Sequence, residues 1–134
     1  MRVLVDTSAW VEFLNGRPSP ERHAVDRLLE GEDDVCTCGV VVAEVFQGLR
    51  RDKERLALEE FFRQMTLLEA PGLSTYFRAA DLYRTLRRRG VTVRSTIDCF
   101  IAALAEENGC ALLFRDRDLR LILSSGLLSL PVWP

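Results

Sequence analysis

Short apolar runs of strand length alternate along this 134-residue chain with stretches of helical spacing, and that alternation restricts the fold more than any other feature. Arg2–Asp6 is a buried, β-branched run, and Val35–Cys38, Leu67–Leu68 and Ala111–Phe114 read as further strands. Leu127–Trp133 reads as a last strand, broken by Pro131. Between them, helical spacing covers Thr7–Leu14, with Trp10, Phe13 and Leu14 on one side, and Glu21–Glu30, with Val25, Leu28 and Leu29 inward. It returns over Val40–Arg51, Glu54–Met65, Ser74–Arg89, Ser95–Asn108 and Leu119–Ser125. Asn15-Gly16, Pro18 and Pro20 end the first helix, Gly31–Asp34 turns the chain, and Gly90, Gly109 and Gly126 close later helices. Strands alternating with helices imply a parallel sheet of four or five strands with helices on both faces, an α/β fold formed as one unit over residues 1–134. In such sheets a ligand binds beyond the carboxyl ends of the strands, where strand order reverses.

Composition removes several functions. Hydrophobic residues make up 48% of the chain, enough for a core without disulfide or metal staples. No apolar run approaches the roughly 18 residues of a membrane-spanning helix. The opening Met1-Arg-Val-Leu-Val-Asp6 turns acidic before an apolar leader could form, so a cytoplasmic protein is expected. Cys36 and Cys38 have C-x-C spacing, unlike the C-x-x-C of zinc or redox sites, and Cys99 and Cys110 stand apart. His23 is the only histidine and lies in a polar helical stretch, which makes a histidine-rich zinc site or a Ser-His-Asp triad improbable. The net charge of −2 argues against a nucleic-acid partner until its distribution is considered.

The acids carry the chemistry. Asp6 ends the first strand and Asp116 follows the fourth, so both belong at the carboxyl edge of the sheet. Glu44, in Val40-Val-Val-Ala-Glu-Val-Phe46, and Asp98, in Ile97-Asp-Cys-Phe-Ile101, start apolar helices that can reach the same edge. Each has a bland reading: Asp6 as an N-cap, Asp98 closing a capping box with Ser95, Asp116 or Asp118 capping the last helix. A carboxylate among apolar residues needs a partner, however, and a divalent cation is one that several can share. Clustered carboxylates with a hard cation suit phosphodiester hydrolysis, which needs neither histidine nor a nucleophilic side chain.

Taken together, these segments resemble the PIN domain, and within it the VapC-type toxin ribonucleases. Leu4-Val-Asp6-Thr7-Ser8 resembles the first acidic motif of that family, and Val42-Ala-Glu44-Val45 with Gly48 the second. Asp98-Cys-Phe-Ile-Ala-Ala-Leu-Ala105 resembles the third, and Leu112-Leu-Phe-Arg-Asp116-Arg-Asp118-Leu119 the fourth. The resemblance spans essentially the whole chain. It implies a three-layer α/β/α fold, Mg²⁺ or Mn²⁺ dependence, and endonucleolytic cleavage of RNA to 5′-phosphate and 3′-hydroxyl ends. It also implies a homodimer, neutralised by a VapB-type antitoxin. By this resemblance Asp6 and Asp98 are the principal metal ligands, Glu44 and Asp116 complete the site, and Thr7 or Ser8 orients ligands or contacts phosphate. Phe114 and Leu119 depart from the family pattern without removing an acid, and Asp118 is a second candidate for the role given to Asp116.

Arg94 and Arg115 flank Asp98 and Asp116 and are candidates to hold the scissile phosphate. Arg84, Arg87 and Arg88 share a helix face that either tracks phosphates or is merely solvated. Rival readings are a binding module that keeps the acids without turnover, a phospho-receiver domain and a D-x-D phosphatase. The last two want paired acids after the first strand, where Asp6 has no acidic neighbour.

Overall fold

A computed structural model describes residues 1–133. The elements run β1 (Arg2–Val5), α1 (Thr7–Asn15), α2 (Pro20–Glu30), β2 (Asp34–Cys38), α3 (Gly39–Gln47), α4 (Arg55–Arg63), β3 (Thr66–Leu68), α5 (Ser74–Arg88), α6 (Thr96–Glu107), β4 (Ala111–Leu113) and α7 (Arg117–Ser124). The strands form one parallel sheet in the order β3-β2-β1-β4.

This order dictates where the helices go. The chain steps from β1 to β2 to β3 in one direction, then returns past β1 to β4. Right-handed crossovers put α1–α4 on one face and α5–α6 on the other. The packing agrees: α1 lies on α2 and α3, and Trp10 of α1 meets Phe61 and Phe62 of α4 at 5.8 and 5.1 Å between ring centres. Across the sheet, α5 packs on α6 and α6 on α7. β1 is central, with Leu4 opposite Cys36 on one side and Leu112 on the other, which explains why Val3, Leu4 and Val5 form an unbroken apolar run with no solvent exposure.

Element ends differ from the sequence reading where local hydrogen bonding outweighs apolar spacing. Pro20 opens α2 rather than helping to end α1, because Ser19 caps that helix by accepting the Arg22 N–H and proline needs no partner at the first position. Gly16, at φ +73°, closes α1. The helix begun at Gly39 stops at Gln47, not Arg51, since the Gly48 and Leu49 N–H groups turn back to Val45 and Phe46. The expected helix over 54–65 divides into a 3₁₀ turn, Asp52–Glu54, and α4. Leu127–Trp133 yields only one parallel bridge, Leu112 to Val132, flanked by bonds from the Leu112 N–H to Pro131 and from the Trp133 N–H to Leu112. Pro131 has no N–H with which to extend the pairing.

Because Leu4 is buried between two strands and two helical layers, Leu4→Ala should cost about 2–5 kcal/mol. Urea denaturation followed by circular dichroism measures this, and a cost under about 1 kcal/mol would mean that β1 is not the centre of the core.

Candidate acidic site at the carboxyl edge of the sheet

The loops leaving β1 and β4 turn to opposite faces, so a crevice opens beyond the ends of these neighbouring strands. Asp6 follows β1 directly, and Asp116 stands just before α7. α6 runs back before β4, which brings its first turn, and Asp98 with it, to the same edge. α3 starts there too, at the end of β2, and carries Glu44.

All of these acids line one cleft of about 420 Å³, together with Thr7, Ser8, Arg94, Ser95, Ile97 and Asp118. For Asp6 and Asp116 the cap reading and the cleft hold at once, whereas Asp98 lines the cleft without the expected capping-box bond to Ser95 among the described residues. Asp6 is the N-cap of α1, its Oδ2 accepting the Ser8 N–H at 3.0 Å and the Ser8 hydroxyl at 2.5 Å. Asp116 is the N-cap of α7, accepting the Leu119 N–H at 2.9 Å. Ser95 caps α6 through the Ile97 N–H at 3.0 Å, while Asp98 faces the cleft. Ser8 also ties the two strand ends together, since its Oγ accepts the Arg115 N–H at 2.8 Å. Thr7 donates to Glu44 Oε1 at 2.9 Å, linking α1 to α3.

Electrostatics set these carboxyls apart. Burial pushes Asp98 up to about 7, helped by the fields of Asp116, Asp6, Asp118 and Glu44. Burial also raises Asp6, against the pull of its bonds from Ser8, and Asp116 and Glu44 add to the rise. Asp118 goes the other way. Its burial favours the neutral form, but hydrogen bonds and charge from Arg94 outweigh this and hold it below the usual carboxylate range.

Carboxylate oxygens of Asp98, Asp116 and Asp118 lie within 4.8 Å of one another. Asp118 Oδ1 is buried and has no hydrogen-bond partner among the described residues. An all-oxygen donor set with an orphaned buried carboxylate oxygen fits a hard divalent cation. The tight trio contains Asp118, the alternative candidate, whereas Asp6 and Glu44 line the cleft with one oxygen each already engaged, Oδ2 by Ser8 and Oε1 by Thr7.

The arginines separate. Arg94 lines the cleft, and its Nε and backbone N–H both reach Asp118 Oδ2 at 2.9 Å. Arg115 is not a lining residue, and its guanidinium pairs with Glu12 of α1. Arg84, Arg87 and Arg88 are exposed on α5, with Arg84 near Asp81 and Arg88 bonded to Thr85. Sequence reasoning found every acid of the cleft but missed the Arg94–Asp118 and Arg115–Glu12 pairs. Partners 24 and 103 residues apart leave no local signal.

A parallel α/β sheet with acids gathered at its switch point defines a recognised class. The PIN domain model matches residues 3–122, and the chain belongs to that family, among its VapC-type ribonucleases. It is 36% identical over 121 residues to Ribonuclease VapC11 of Mycobacterium tuberculosis and to a VapC ribonuclease of Mycobacterium bovis, a match covering 90% of each chain. The fold is also that of VapBC from Salmonella typhimurium, solved bound to DNA (TM-score 0.73, 16% identity, 100% and 99% of the two chains). Mycobacterium tuberculosis VapC20, described as a sarcin-ricin loop cleaving toxin, superposes with a TM-score of 0.61 at 20% identity over 98% and 99%.

With its pKa raised to about 7 in the folded chain, Asp98 favours folding at acid pH. That contribution is full below its unfolded pKa, near 4, and is lost as pH rises through 7. Asp98→Asn should therefore raise the melting temperature of metal-free protein at pH 8 and leave it nearly unchanged at pH 4. Wild-type affinity for Mg²⁺ should fall as pH drops below about 7, because the ion must displace a proton. Equal effects of the substitution at both pH values would show that Asp98 ionises freely.

Proposed function

We propose that the cleft binds Mg²⁺ or Mn²⁺ through Asp6, Glu44, Asp98 and Asp116, with Asp118 as a further donor, and hydrolyses RNA internally. The observation that carries this reading is the crowding of carboxylates in one cleft, with one of them near pKa 7 and another keeping a buried, unpartnered oxygen. A cation shared among such carboxylates relieves their repulsion and supplies the partner that the buried oxygen lacks.

A bound divalent ion supplies charge stabilisation at the phosphoryl oxygens and makes water acidic enough to attack at neutral pH. The chain's own residues do the rest. Ser8 holds Asp6 and Thr7 holds Glu44, so that two donors arrive oriented from the end of β1 and from α3. Asp116 is fixed as the cap of α7. Arg94 offers the cationic contact for phosphate at the cleft, and Arg115, adjacent to Asp116, is the outer candidate. Water adds to phosphorus in line, the 3′-oxygen departs and takes up a proton, and the products carry 5′-phosphate and 3′-hydroxyl ends. The 2′-hydroxyl takes no part.

The family reading extends to partners. The chain acts as the toxin of a type II toxin–antitoxin pair, in the cytoplasm, and a VapB-type antitoxin silences it. Supporting this, a groove of about 840 Å³ with apolar walls at Val11, Phe13, Leu14, Leu58 and Phe61 opens beside the cleft and shares Glu44 with it. A homodimer is supported by exposed Leu73, Tyr76, Phe77 and Ile97, with Tyr76 stacked on Phe100 at 5.1 Å. Among the described residues no helix is long and apolar enough to cross a membrane.

Purified protein incubated with RNA should cut only with Mg²⁺ or Mn²⁺ present, and chelation should stop it. Asp6→Asn or Asp98→Asn should lower the rate roughly 100-fold or more. End-labelling should find 5′-phosphates. Cyclic phosphate ends, or cutting that survives chelation, would sink the mechanism, and RNA binding without cutting would leave a binding module.

A further inference from the structure

We propose that Arg94 is a resident counter-cation for the cleft. It neutralises Asp118 while no metal is bound, yields that carboxylate to a divalent ion, and then offers its guanidinium to phosphate. This rests on the reading of the cleft as a cation site.

Asp118 has only 1% of its side chain exposed, and a carboxylate so placed needs a partner to stay ionised. One oxygen, Oδ2, takes both the Arg94 backbone N–H and Nε at 2.9 Å; the other, Oδ1, takes nothing. Arg94 Nη2 stands 3.8 Å from Asp116 Oδ1. The guanidinium therefore sits on two of the three carboxylates whose oxygens crowd within 4.8 Å, and it competes with a metal for the same charge.

The arginine is also built to leave. Its side chain is 70% exposed, so the released guanidinium passes into water and keeps its solvation. The backbone N–H stays on Asp118 Oδ2 after the side chain departs, so the carboxylate keeps its orientation. A freed planar fork at the rim of the cleft is suited to paired phosphate oxygens. Competition is reciprocal: Arg94 must weaken metal binding by the factor by which metal loosens Arg94.

Mn²⁺ titration by calorimetry, with thermal melts in parallel, tests this without reference to cleavage. Arg94→Gln should bind Mn²⁺ on the order of five- to tenfold more tightly than wild type. It should melt earlier than wild type without metal and close that gap with saturating Mn²⁺. Arg94→Lys, which keeps the charge but not the fork, should fall between them and serves if the glutamine variant folds poorly. With 5′-AMP as the phosphate probe, Mn²⁺ should improve affinity more in wild type than in Arg94→Gln. Unchanged or weaker Mn²⁺ binding by Arg94→Gln, or an equal gain in AMP affinity, overturns the proposal. A wild-type protein that binds no Mn²⁺ overturns the cation-site reading along with it.

Discussion

Repulsion among the carboxylates of Asp6, Glu44, Asp98, Asp116 and Asp118 in one cleft is the constraint around which the surrounding structure is arranged. Each acid but one has a compensating contact within the chain. Asp6 and Asp116 cap α1 and α7, where the free N–H groups and the positive end of the helix dipole favour negative charge. Thr7 donates to Glu44, and Arg94 pairs with Asp118. Asp98 stands in the first turn of α6, so it gains from the helix dipole, but none of the described residues gives it a hydrogen bond that would hold its pKa down. Burial lifts it to about 7, and the unrelieved part of the repulsion adds to that rise.

This arrangement explains why the bland and the functional readings of the acids were not alternatives. A helix N-terminus at the carboxyl edge needs an acceptor, and an acid that serves as the cap is thereby fixed at the mouth of the switch-point crevice. For Asp6 and Asp116 the cap geometry is what aims the side chain. Glu44 is different, since it sits well inside α3 and owes its orientation to Thr7 on a neighbouring helix.

Much of this was legible in the sequence because it is written locally. The apolar runs at Val3–Val5 and Ala111–Leu113 mark strands buried on both faces, and the glycines at 16, 90, 109 and 126 all adopt the positive φ that ends a helix or turns the chain. Alternation of strands and helices sufficed to bring the acids to one edge. What the sequence concealed was non-local or decided by single hydrogen bonds. The spacing through Val45, Phe46 and Leu49 looks helical, yet α3 ends when the Gly48 N–H turns back to Val45. The exposed Arg94 and the buried Asp118 look like equivalent polar residues near helix starts until the fold brings them together. Asp118 followed Asp116 as an afterthought in the motif, although its deep burial makes it the acid least able to do without a partner.

The placement of the acids also has a mechanical side. Glu44 comes from the helical layer on one face of the sheet, Asp98 and the acids of α7 from the layer on the other, and Asp6 from the central strand between them. Past the ends of β1 and β4 the sheet no longer separates those layers, and the cleft takes acids from both. Ser8 already bridges the gap by joining Asp6 to the Arg115 backbone. Positive charge placed among these carboxylates, as Arg94 already is beside Asp116 and Asp118, offsets their mutual repulsion. The cleft lies where it does because only at the reversal of strand order can both faces and the central strand contribute to it.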